Sequence, residues 1–158
     1  MSMKLFQQKT STNMLEVPYK GSVQAITDIA GGTLDMMFDA TNSAYTYVTS
    51  DRVKAIATSG PTRYFGLPNI PTLKESGIDV EVVGFTVLMA PAGTPAPIVN
   101  RLNGTIQEIL KLPDTEVEMR RQGLDIHAPQ GPQATTAWLA NEGRRWEQVA
   151  AAANIAKQ

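Results

Sequence analysis

Cysteine is absent from this chain of 158 residues. Its absence removes disulfides, thiolate zinc sites and cysteine nucleophiles together, and fits a reducing or an oxidising compartment equally. Histidine occurs once, as His127, so no histidine-rich metal site can form. Charge is sparse, at 18% of residues and a formal net charge of -1. The basic residues are scattered and adjoin only at Arg120–Arg121 and Arg144–Arg145. That distribution gives no electrostatic footprint for nucleic acid or an anionic membrane surface. No apolar run approaches the length of a membrane span. The first eight residues have neither an apolar h-region nor a small-residue cleavage site, so they are not a signal peptide. On that reading the protein is not exported, or the chain has lost its natural start. The Gly-x-Ser-x-Gly elbow, the P-loop and the dinucleotide fingerprint are all missing. No spaced Asp/Glu loop for a hard cation occurs either. Neither a cofactor nor a metal is expected.

What is present is an ordinary globular balance, with 42% apolar residues and length enough for one core. Short apolar runs at residues 14–19, 34–39, 53–58, 80–91 and 124–128 read as strands. Between them, helical spacing marks residues 22–30 and 95–112, a short helix spans 72–76, Asp114 caps another through Arg121, and the longest helix begins near Gly131. Ser22 is an N-cap candidate, and Gly31–Gly32 stops its helix. Asn42 or Ser43 caps the helix that follows Asp39. Thr94 and Pro95 start the helix bearing Ile98, Leu102, Ile106, Ile109 and Leu110 on one face. Trp138, Glu142, Trp146, Val149 and Ala153 form a stripe on the last helix. Strands alternating with helices predict an α/β fold with a mostly parallel sheet.

Ligands in open α/β sheets sit beyond the carboxyl ends of strands, where helix N-termini offer free N–H donors to anions. Two loops fit that description. One is Tyr19–Lys20–Gly21–Ser22, and the other is Asp39–Ala40–Thr41–Asn42–Ser43. Gly21 allows close backbone approach, while Ser22, Thr41 and Ser43 add hydroxyls. Lys20 pairs with an anion or stays solvated. Asp39 holds an amine, orients its loop or caps the next helix. Both loops can equally be ordinary capped turns. Asp125 and His127 share a strand face, which suits a catalytic pair or a plain surface histidine.

Taken in order, several segments resemble one family. They are Val17–Pro18–Tyr19–Lys20–Gly21, then Gly31–Gly32 followed by Asp35 and Met37–Phe38–Asp39. Leu67–Pro68, Pro71–Thr72 and Gly77 come next. Ala90–Pro91–Ala92–Gly93–Thr94–Pro95 follows, with Ile98–Val99 and Leu102–Asn103, and finally Glu142 and Trp146. The series resembles the substrate-binding proteins of tripartite tricarboxylate transporters, the TctC or Bug family. The resemblance implies a periplasmic-binding-protein-like (type II) lobe, truncated at its N-terminus. Residues 1–86 would be a second-lobe segment lacking its first strand and loop. Residues 87–158 would cross back to the first lobe and end in a long helix. The implied function is a receptor, not an enzyme, that closes on a small organic acid and delivers it to membrane transporter subunits. The acid would be a di- or tricarboxylate, an acidic amino acid or an aromatic acid, and the location periplasmic. Both candidate loops would face the cleft. Phe85 stands where such proteins often have Trp, and Val87 where they often have Gly. Exposed sheet edges suggest a homo-oligomer. The rival readings are a small α/β enzyme using Asp39 or the Asp125–His127 pair, and an assembly fragment that binds no ligand.

Overall fold

The computed structural model describes residues 1–126 and 131–152. Its regular elements there are six helices: α1 (Ser2–Thr10), α2 (Ser22–Ala30), α3 (Thr41–Thr49), α4 (Ala96–Ile109), α5 (Pro113–Arg121) and α6 (Pro132–Ala152). The backbone forms two units. One is Met1–Gly84 together with the described residues from Val149 on, and the other is Phe85–Gln148.

The first unit has a small core. Leu5 of α1, Leu73 and Val80 are buried together, with Phe6, Phe38, Ala57, Ile78, Val82 and Val149 packed against them. Phe6 and Phe38 meet edge to face at 5.8 Å, a favoured aromatic geometry. Buried Gln7 fixes the chain after α1: its amide donates to Glu16 Oε1 at 2.8 Å and its carbonyl accepts from Met14 N at 2.9 Å. Ala25 and Ile26 bury one face of α2, which packs on α3.

The expected short helix at 72–76 is a single capped turn. Thr72 Oγ1 accepts from Glu75 N at 3.0 Å, and Glu75 Oε2 accepts from Thr72 N at 2.7 Å. This reciprocal pair is a capping box. Arg63 also holds the Glu75 carboxylate, which pushes its pKa below the ordinary range. Gly77, at φ +82, closes the turn in a conformation that a side chain would strain.

The mostly parallel sheet is not formed among the described residues. Its sole trace there is one parallel bridge between Thr58 and Thr72, with Thr58 N donating to Pro71 O and Leu73 N to Thr58 O, both at 2.9 Å. The runs at 14–19, 34–39, 53–57 and 80–91 form no strand, and Asp35 and Val53 lie in bends. Apolar alternation reports which side chains favour a pleat. A strand also needs a neighbour's N–H and C=O groups about 4.8 Å away. A long apolar run such as 80–91 suits a buried strand. Only Val80 is buried, while Leu88 and Met89 stand in the open. The strand expected at 124–128 lies partly outside the described residues.

Three expected caps are corrected. Ser22, Thr94 and Asp114 cap nothing. The N-cap positions fall on Gly21, Pro95 and Leu112, none with a side-chain bond. Ser22 has a stronger acceptor elsewhere, as described below, and Thr94 Oγ1 turns back to Pro91 O at 2.8 Å.

In the second unit, Phe85 meets Trp138 edge to face at 4.6 Å. Arg145 lies over the Trp146 ring at 5.6 Å. Ala153, at the end of the expected α6 stripe, lies outside the described residues.

Candidate functional site

The two sequence-selected loops each open a helix, and one carboxylate joins them. Asp39 ends the run 34–39, one residue before the N-cap Ala40 of α3. Ser22 Oγ donates to its Oδ1 at 2.5 Å, and Ser43 Oγ to its Oδ2 at 2.7 Å. Ser43 also reaches Ala40 O at 2.9 Å. Serine hydroxyls at the starts of α2 and α3 therefore hold both oxygens of one side chain. Asp39 acts as a clasp between two helix N-termini, whose dipoles favour its charge. This corrects the expectation that Asn42 or Ser43 caps α3. The N-cap there is Ala40, without a side-chain bond.

A helix leaves its first N–H groups without intrahelical acceptors. Here the usual side-chain caps are missing from both helices. Ser43 N and Ala44 N turn to Ala40 O. The N–H groups of Ser22, Val23, Gln24, Thr41 and Asn42 have no acceptor among the described residues. These are five donors at two helix starts. Val23 and Gln24 were not picked out from the sequence, although the rule that a helix opens with orphan donors would have found them.

Tyr19 does not share that arrangement. Its hydroxyl donates to Asp28 Oδ2 at 2.6 Å, tying the loop to the second turn of α2. This hydrogen bond, aided by desolvation and the Asp28 charge, raises the tyrosine pKa. Asp28 is a positioning partner that sequence reasoning missed, because a contact nine residues apart leaves no local signature. Lys20 is exposed. Gly21 is extended, and a Cβ there would meet nothing within 4 Å. It keeps open space beside the α2 N-terminus. Its φ of −176 would suit any residue.

The arrangement offers neutral donors and a fixed carboxylate. Among the described residues there is no cluster of three metal-binding side chains. Such a surface can hold a carboxylate or phosphate by backbone N–H groups. Of the proposed Asp125–His127 pair, His127 lies outside the described residues.

Comparison with known proteins extends this picture. Residues 1–155 match the model of the tripartite tricarboxylate transporter family receptor. A protein of the tcbD–tcbE intergenic region of Pseudomonas sp. (strain P51) is 31% identical over 147 residues, covering 92% of this chain and 44% of that one. Among solved structures, an R. palustris protein with adipate superposes with a TM-score of 0.84 at 30% identity, covering 98% of this chain and 52% of its own. MatC from Rhodopseudomonas palustris with bound malate gives 0.75 at 30% identity, covering 94% and 51%. The chain thus spans less than half of that curated relative and about half of these solved structures.

Proposed function

The chain belongs to the tripartite tricarboxylate transporter receptor family, and from that premise we propose that it serves as a solute-binding component recognising a small organic carboxylate. The backbone fold is the periplasmic-binding-protein type of its structural neighbours. Receptors of this family bind solutes, and no reaction on the ligand is invoked. The observation that carries the reading is the pair of uncapped helix N-termini clasped by Asp39. Five unengaged N–H groups there suit a carboxylate without any need for a cationic side chain. Thr41 and Lys20 add a hydroxyl and a charge at the rim. Ser22 and Ser43 act indirectly, by holding Asp39.

The ligands of the two neighbouring structures, adipate and malate, are dicarboxylates, and this chemistry supports the same class here. One carboxylate would dock on α2 and α3. The rest of the acid would be held by the part of the receptor fold that this chain does not span, with closure completing the contacts. On the same reading residues 1–86 contribute one lobe of the cleft and residues 87–158 lead back to the other. The receptor works in the periplasm and hands its acid to the membrane subunits of the transporter.

A thermal-shift screen against adipate, malate, citrate, glutamate and benzoate tests the class. A ligand that binds only the folded state raises the melting temperature with concentration. A saturable shift with a dicarboxylate, lost in Thr41→Ala combined with Gly21→Val, is the expected result. Equal shifts in that variant would sink the site assignment.

A further inference from the structure

Residues 59–71 of the first unit form a loop that is bolted to itself. Arg63 Nε donates to both oxygens of Glu75, at 3.0 and 2.9 Å, and Arg63 Nη1 donates to Pro68 O at 3.1 Å. Leu67 N donates to Tyr64 O and Ile70 N to Leu67 O, both at 3.0 Å. Thr58 N donates to Pro71 O at 2.9 Å, so the two ends of the loop meet. A surface loop with joined ends and its own internal bonds is of the kind that frequently carries function.

This loop presents aromatic rings to α3. Tyr64 meets Phe65 at 4.4 Å between ring centroids and meets Tyr45 of α3 edge to face at 6.1 Å. Gly66 is required by the arrangement. A Cβ there would lie 2.7 Å from the Tyr64 ring and 2.9 Å from the Tyr45 ring, closer than carbon atoms pack. Tyr45 is therefore braced by a ring and a backbone, yet 38% of it stays exposed. It is held without being covered.

Helix geometry says what Tyr45 lies beside. It stands four residues after Thr41, so the two side chains are neighbours on one face of α3. A helical side chain leans toward the N-terminus and covers the turn before its own Cα. That turn is the start of α3, where the Thr41 and Asn42 N–H groups have no acceptor among the described residues. Resting on the carboxylate reading of the same helix start, we infer that Tyr45, braced by Tyr64 and Gly66, is a specificity-determining residue. Its ring takes the apolar body of an acid whose carboxylate rests on those N–H groups. An acid with an unbroken methylene body is thereby preferred to one bearing hydroxyls, which would give up water against the ring without a full hydrogen bond in return.

NMR of the 158-residue chain, titrated with adipate and with glucarate, tests it. Glucarate has the same carbon chain with a hydroxyl on every inner carbon. Expected are Tyr45 ring signals that shift together with the Thr41 and Asn42 N–H signals, and cross-relaxation from the adipate methylenes to that ring. Adipate should bind about tenfold more tightly than glucarate. Tyr45→Ala should weaken adipate about tenfold and change glucarate by no more than about twofold, whereas Tyr45→Phe, which keeps the ring, should retain the preference. N–H shifts without ring contact would overturn the role of Tyr45 and leave the carboxylate reading standing. Equal losses for both acids in Tyr45→Ala would do the same, because they mark a ring that only supports the helix. N–H signals that stay still with both acids would end both readings. Ring contact is read in the unmutated chain, so the outcome does not depend on the alanine variant folding.

Discussion

Asp39 is the residue on which the proposed site turns. It accepts from two serines seventeen residues and four residues away. Asp39→Asn leaves one carbonyl acceptor for two hydroxyl donors. The amide variant should loosen one helix start and lower stability by on the order of 1 kcal/mol, because the group is half-exposed. Urea unfolding would read that loss; a change near zero would show that the clasp is decorative. Thr72 makes a sharper case, since it is buried and both caps and is capped. Thr72→Ala should cost about 1 kcal/mol, as lost caps generally do, with the m-value unchanged. Spacing alone could have revealed this motif, because Thr72 and Glu75 stand three residues apart. Spacing could not have revealed the clasp. Ser22 looks like an N-cap locally, and only the fold brings Asp39 close enough to claim its hydroxyl.

At the scale of elements, the helices were legible and the sheet was not. The period of Val23, Ile26 and Ala30 places α2, and Gly31–Gly32 ends it where expected. The apolar row of α4 is legible for the same reason: 3.6-residue periodicity is a property of one segment. A ladder is a property of two segments, so the runs at 34–39 and 53–57 could be read as extended but not paired. Helix α5 offers a pH test. Arg121, then Gln122, hold the Glu118 carboxylate and depress its pKa to about 2 from 4.5. Above the ordinary range both folded and unfolded chains are ionised there, and the helix keeps the full benefit. As pH falls below 4.5 the unfolded chain takes up its proton first, and the benefit is lost toward pH 2. Helicity at residues 113–121, followed by NMR, should decline across that window. Glu118→Gln should flatten the decline; an unchanged profile would assign it to other carboxylates.

For the whole molecule, the family was readable from the sequence. The ordered motifs from Pro18 to Trp146 carried the family, and strand-end logic chose the same two loops that the structure joins through Asp39. What stayed out of reach was how little the second unit buries, because burial depends on what lies opposite. If the proposed function holds, a chain that spans half of its relatives' fold should bind a small carboxylate weakly, at about millimolar affinity, corresponding to roughly -4 kcal/mol. Nitrogen-15 NMR can follow so weak an interaction group by group. Adipate added to the labelled chain should move the N–H signals of Ser22, Val23, Gln24, Thr41 and Asn42 together and saturably. Signals elsewhere that move instead, or five that stay still while the protein remains folded, would contradict a carboxylate site at these two helix starts.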